Sequence, residues 1–292
     1  MKFTKKTGSK KKLGGAVYIL PNMFTTGNLF FGFFSIIKSL QGDFEWASWA
    51  ILLATVFDML DGRVARLTGG TSEFGVQYDS LCDLVSFGVA PAFLMYQAGL
   101  DGLGRIGWII CFMFLACGAL RLARFNVQSS IGKASGDFIG LPIPMAAAVI
   151  ACFVGVWASF EVKDNDFPFA QIIFDVLNSS DVRVAFFSVS GVGLALAMVT
   201  NVPYRSHKTI QLNGVKPFKM LVLSVLLIGL VASRPALFGF ILFTGYAVSG
   251  PLEWLFGWTK AVDDDDIFEP SSGIVDKSTD REQGEQSDES SK

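Results

Sequence analysis

The chain has 292 residues, 51% of them hydrophobic and only 17% charged, with a formal net charge of −2 and a mean hydropathy of +0.46. A soluble globular domain carries about 25% charged residues. The composition therefore excludes one and points to an all-α, polytopic integral membrane protein with no nucleic-acid partner.

Charge gathers at the two ends. Lys2, Lys5, Lys6, Lys10, Lys11 and Lys12 make residues 1–18 a basic cytoplasmic segment suited to the anionic headgroups of membrane lipids. The apolar run that follows is too long and too rich in phenylalanine for a secretory signal, and no Ala-x-Ala site follows it. Eight apolar stretches of about 20 residues then come in order: 19–40, 46–66, 79–98, 106–125, 139–160, 183–200, 217–233 and 236–256. Each is long enough to cross the roughly 30 Å hydrocarbon layer as a helix. Together they form one transmembrane domain over 19–256. The second and third carry aspartates at their facing ends. The boundary between the last two rests on Ser233, Arg234 and Pro235, so a seven-helix count stays open. Between Glu161 and Asp181, the apolar residues Phe169, Ile172, Ile173, Val176 and Leu177 recur at helical spacing, which fits a short interfacial helix or an irregular loop. From Asp263 onward there are eleven acids against three bases, a net of −8, so 261–292 reads as an acidic disordered tail on a body of about +6.

Orientation follows from the short connections. One set carries Arg63 and Arg66, then Arg121, Arg124 and Lys133, then Arg205, Lys208, Lys216 and Lys219, and finally Lys260. The alternate set carries no base in 41–45, then Arg105, then Lys163 and Arg183, then Arg234. The bias toward positive loops inside places the first set, and both termini, in the cytoplasm of a cell bounded by this membrane. Cys82, Cys111, Cys117 and Cys152 have no metal spacing and lie in apolar stretches, as small hydrophobes do. The single histidine, His207, stands in a basic loop with no second ligand type beside it.

The chemistry lies in FDMLDGRVARLTGGTSEFGVQYDSLCD, residues 57–83. Asp58 and Asp61 share one face at the end of the second stretch, and Asp79 and Asp83 share one face at the start of the third. Gly69, Gly70 and Gly75 suit a turn between antiparallel helices, so four carboxylates converge at the cytoplasmic edge of the membrane. Unpaired, they would repel one another and lose hydration. Oxygen-only ligands on rigid helices suit Mg2+ or Mn2+. A cation or proton pathway, or an acid-capped hairpin in water, is the alternative. Gly62 and Ala65 leave either close helix packing or a slot for a ligand.

Asp58, Asp61, Gly62, Ala65, Arg66, Gly75, Asp79 and Asp83 fit D-x2-D-G-x2-A-R-x8-G-x3-D-x3-D without departure. That pattern resembles the CDP-alcohol phosphatidyltransferase family. The resemblance implies a membrane enzyme with a six-helix catalytic core, dimeric, that moves a phosphatidyl group from a CDP-linked donor to an alcohol and releases CMP. It further implies that Asp58, Asp61, Asp79 and Asp83 hold two Mg2+ or Mn2+ ions and that Asp83 is also the general base. Gly62, Ala65 and Gly75 would lie against the nucleotide, with Arg66 near the donor phosphates. Three more stretches, LPNMFTTGNLFFGFFS at 20–35, LRLARFNV at 120–127 and DFIGLPIPMAA at 137–147, with PYRSHK at 203–208, resemble the bacterial serine-accepting members. They imply CDP-diacylglycerol and L-serine as substrates. Arg121, Arg124 and Asn126, level with the aspartates, are the candidates for the serine carboxylate, or else flank the membrane. Asn22 and Thr25 either cap the first helix or touch the donor. The rival readings are a glycerol 3-phosphate acceptor, a transporter and a scaffold acting through the acidic tail.

Overall fold

The computed structural model describes residues 16–68, 72–130, 138–161, 179–204, 229 and 231–256. The described elements are α1 (Ala16–Leu40), α2 (Phe44–Thr68), α3 (Glu73–Leu103), α4 (Arg105–Ser130), α5 (Ile143–Glu161), α6 (Ser180–Val199) and α7 (Pro235–Leu255), with two short strands, β1 (Phe138–Ile139) and β2 (Pro203–Tyr204). The chain is an all-α, multi-pass membrane protein. The strand pair is a minor departure from that class.

Eight spans were expected, and four described helices, α3, α4, α6 and α7, combine the length and apolarity needed to cross a membrane. The shortfall has physical causes. At 25 residues each, α1 and α2 reach about 37 Å. Both are diluted by polar groups: Asn22, Thr25, Thr26 and Asn28 in α1, and Asp58, Asp61, Arg63 and Arg66 in α2. The apolar run of α5, Ile143–Ala158, is shorter than the four. The stretch 217–233 lies outside the described residues apart from 229 and 231–233, as do His207, the segment 162–178, residues 1–15 of the basic segment, the tail 261–292 and Lys133.

The fifth stretch was expected to be helical from 139, but α5 begins at Ile143. Gly140 adopts φ +77°, and Pro142 and Pro144 bracket the helix start, so the chain before it stays extended. That extended piece pairs antiparallel with β2, Phe138 opposite Tyr204 and Ile139 opposite Pro203. Two motifs more than sixty residues apart in sequence are thereby brought side by side.

α1 and α2 form a tight hairpin closed by an ion pair, Lys38 Nζ to Asp43 Oδ2 at 2.8 Å. α5 sits between α2 and α7, and α4 packs on α6. Ile51, Phe87, Leu94, Phe114, Ile150 and Met198 are fully buried at the centre. Phe30, Phe33, Trp46, Trp108, Phe112 and Ile241 are exposed on the outside, as a lipid-facing surface requires. Small residues allow the closest approaches. A Cβ on Gly32 would stand 2.6 Å from the Ser86 Cα, so α1 and α3 meet backbone to backbone there. Cys82, Cys111 and Cys152 are buried and none of the four cysteines forms a disulfide.

Candidate active site

Gly69 and Gly70, expected to form the turn, lie outside the described residues, but α2 and α3 bring the aspartates together. Single carboxylate oxygens of Asp58, Asp61 and Asp79 all lie within 4.8 Å of one another. Asp61 is 5% exposed and Asp83 8%. Asp61 Oδ2 and Asp79 Oδ1 are buried and have no hydrogen-bond partner among the described residues. Buried carboxylate oxygens are nearly always satisfied, and like charges this close oppose one another. An oxygen-only donor set on rigid helices with orphaned lone pairs fits a hard divalent cation.

Asp83 is held from the opposite side. Its Oδ1 accepts from Asn28 Nδ2 at 2.9 Å. Asn28 is fully buried in α1, and its backbone carbonyl accepts from Ser86 Oγ at 3.0 Å. Immediately after Asp83 the helix widens into π-helical turns over Leu84–Val89, a local form common at functional sites. Asn28 was not singled out in the sequence. Its signal was an amide in the middle of a phenylalanine-rich helix, where an unpaired polar group is costly.

Two cavities flank the cluster and share Asp79 and Phe125. The first, ≈ 600 Å³, is lined by Asn22, Thr25, Asp61, Gly62, Ala65, Arg66, Ser72, Gly75 and Ser129 among others. A Cβ on Gly62 would meet nothing within 4 Å, so that glycine opens onto free space. Ser72 caps α3 by accepting from the Gly75 backbone N–H at 3.0 Å. Arg66 Nε donates to the Gly62 carbonyl at 2.9 Å. Asn22 and Thr25 do not cap the first helix, which begins at Ala16; they sit further along it and face this cavity.

The second cavity, ≈ 540 Å³, has Asp58, Asp83 and Arg121 on one side. Apolar and aromatic residues of α2, α4, α5 and α7 complete it: Met59, Phe125, Met145, Leu242, Phe243 and Tyr246. Arg121 is 8% exposed and has no hydrogen-bond partner among the described residues; its guanidinium stands 5.7 Å from the centre of the Phe125 ring.

The structure separates the three acceptor candidates. Arg121 enters the cavity. Arg124, one turn on, turns away and donates to the carbonyls of Ile139, Met198 and Val199 and to Asn201 Oδ1 at 3.0–3.1 Å. Asn126 Nδ2 donates to Ser80 Oγ at 2.9 Å, tying α4 to α3.

An all-α membrane protein with an acidic cluster between two unlike cavities is the setting in which a lipid headgroup transferase works. Residues 18–178 match the CDP-alcohol phosphatidyltransferase family, and the chain belongs to that family. It is 35% identical over 247 residues to a Helicobacter pylori protein named CDP-diacylglycerol--serine O-phosphatidyltransferase, covering 84% of this chain and 95% of that one. A Methanothermobacter thermautotrophicus archaetidylserine synthase is 39% identical over 182 residues, 61% of this chain and 73% of its own. A Saccharomyces cerevisiae protein with the same name as the first is 36% identical over 189 residues, 60% and 67% respectively.

Proposed function

We propose that this protein transfers the phosphatidyl group of CDP-diacylglycerol to the hydroxyl of L-serine, giving phosphatidylserine and CMP. The observation that carries the reading is the aspartate cluster standing between two cavities of different chemistry. The nucleotide of the donor occupies the cavity of Gly62, Ala65 and Gly75, where little side chain intrudes, with Asn22, Thr25 and Arg66 near its phosphates. The acceptor occupies the other, where Arg121 takes the serine carboxylate. Asp58, Asp61, Asp79 and Asp83 would hold two divalent cations, Mg2+ or Mn2+, which would supply the positive charge that offsets the pyrophosphate.

An alcohol is a weak nucleophile at neutral pH. Asp83, fixed by Asn28 against the acceptor cavity, takes the hydroxyl proton. The freed oxygen attacks the phosphorus that bears diacylglycerol. A new phosphoester bond forms, the pyrophosphate bond breaks, and CMP departs into the glycine-lined cavity. The apolar residues Met59, Met145, Leu242 and Phe243 line the acceptor cavity toward the exposed sides of α2 and α7, a route by which the acyl chains remain in lipid.

Serine fits this cavity better than glycerol 3-phosphate. Arg121 is the only basic side chain among its described lining residues. One guanidinium matches one carboxylate, whereas a phosphate dianion calls for several cations. In this reading α1 to α6 make up the six-helix catalytic core. Arg63, Arg66, Arg121 and Arg124 stand at the aspartate end, which faces the cytoplasm together with both termini. The homodimer implied by family likeness belongs to the same proposal and is checked by mass measurement in nanodiscs.

The test is CMP release from CDP-diacylglycerol by the purified protein, offered serine or glycerol 3-phosphate in separate reactions with Mg2+ or Mn2+. Serine-dependent release that chelator abolishes is expected. Release with glycerol 3-phosphate alone overturns the acceptor, and release in chelator overturns the metal site.

A further inference from the structure

The stretch matched to the family ends at 178, yet the acceptor cavity has a wall beyond it. That wall is α7, through Leu242, Phe243 and Tyr246. Tyr246 is half-buried and lines the same cavity as Asp83 and Arg121. It is the one α7 lining residue with a hydroxyl. We infer that Tyr246 is a specificity-determining residue for the acceptor alcohol and that Tyr204 is the positioning residue that holds it in place. The inference rests on the acceptor assignment above.

The positioning device is built into the backbone of α7. In a regular helix the Ala247 carbonyl would accept from the N–H of residue 251, but that residue is Pro251, which has none. The carbonyl is taken instead by Tyr204, whose phenol donates to Ala247 O at 3.1 Å. Room for the Tyr204 ring comes from Gly250, where a Cβ would lie 2.5 Å from the ring. The Tyr204 and Tyr246 rings then pack at 5.5 Å between centroids. Tyr204 itself is 1% exposed and is fixed by the β1–β2 pairing.

The same device is anchored to the helix that carries Arg121. Arg124 on α4 donates to the Ile139 carbonyl in β1 and to the last carbonyls of α6. Gly140 donates from its backbone N–H to the Val202 carbonyl at 3.0 Å, and a Cβ there would collide with the Arg124 guanidinium. Arg121 and Tyr246 therefore belong to one braced frame, with the acceptor between them. This gives Arg124 a role in acceptor binding that acts through Tyr204 and not by contact.

The experiment is initial-rate kinetics of CMP release by the full-length protein in nanodiscs, varying serine and CDP-diacylglycerol separately. Tyr246→Phe removes only a hydroxyl. The serine KM should rise about ten- to a hundredfold, as loss of one hydrogen bond to a charged group predicts, with kcat and the CDP-diacylglycerol KM within about twofold of wild type. Tyr204→Phe should move the serine KM the same way by less. In a Pro251→Ala background, which returns an N–H to the Ala247 carbonyl, Tyr204→Phe should lose most of that effect. A rise in the CDP-diacylglycerol KM in Tyr246→Phe, or an unchanged serine KM, overturns the specificity role. An undiminished Tyr204→Phe effect beside Pro251→Ala overturns the positioning role. If the wild type rejects serine and accepts another alcohol, the acceptor assignment fails, and the Tyr246 role is decided on the KM of that alcohol.

Discussion

The two cavities that meet at Asp79 are close in volume and opposite in construction. The cavity proposed for the donor is made mostly by α1, α2 and the start of α3, with Phe125 and Ser129 of α4 added, and its chemistry is an absence of side chain at Gly62 and Gly75. The acceptor side draws on α2, α3, α4, α5 and α7, and its chemistry is a single guanidinium among rings. In the proposed reading, a group common to every donor is served by a mostly local, backbone-lined slot. The variable partner is met by side chains that long-range packing brings together. Recognition that must stay fixed and recognition that must discriminate are thus assigned to different kinds of structure.

The largest effect should come from the shared wall. Asp79→Asn removes charge from both sides at once, and CMP release should fall by about three orders of magnitude with every alcohol, as loss of cation-assisted stabilisation of the leaving group predicts. A variant that retained one-tenth of the rate would deny Asp79 that place. Next comes Asn28→Leu, which leaves the Asp83 carboxylate without its 2.9 Å donor. A hydrogen bond to a charged group is worth roughly 1.5–3 kcal/mol, so kcat should drop about thirtyfold while both KM values hold. A shift confined to the donor KM would move Asn28 to the other cavity. The smallest effect is expected from Arg124→Lys. A lysine cannot reproduce the fork of four hydrogen bonds, and the serine KM should rise about threefold with the donor KM unchanged. A rise above that of an Arg121 substitution would instead argue for direct contact with the acceptor.

How far the sequence spoke for itself follows the same division. The aspartate cluster and the glycine-lined cavity beside it were legible because most of their residues are close in the chain and their spacing on helices fixes which face they share. Membrane character was legible from composition, while among the described helices four of the eight expected spans meet the length and apolarity of a crossing: the polar residues that make α1 and α2 useful also lower their apolarity. The acceptor side was only half legible. Arg121 and Arg124 are the same residue type one turn apart. What separates them is the presence of α6 and β1 on the side of Arg124, which nothing local encodes. Asn28 was hidden because its partner lies 55 residues on, and Tyr246 because neither spacing nor charge marks it. The PYRSHK stretch stood out as a motif, but its Tyr204 acquires meaning only opposite Pro251.

The central claim is that the donor's nucleotide and the acceptor are bound on opposite sides of Asp79. The most direct measurement is a side-by-side kinetic comparison of Gly62→Leu and Arg121→Lys, each titrated with CDP-diacylglycerol and with serine. Gly62→Leu puts a side chain into open donor space, and should raise the CDP-diacylglycerol KM about tenfold with the serine KM unchanged. Arg121→Lys loses bidentate contact to a carboxylate, and should raise the serine KM about tenfold with the donor KM unchanged. Crossed shifts, or both substitutions moving both constants together, would contradict a division of the site at Asp79.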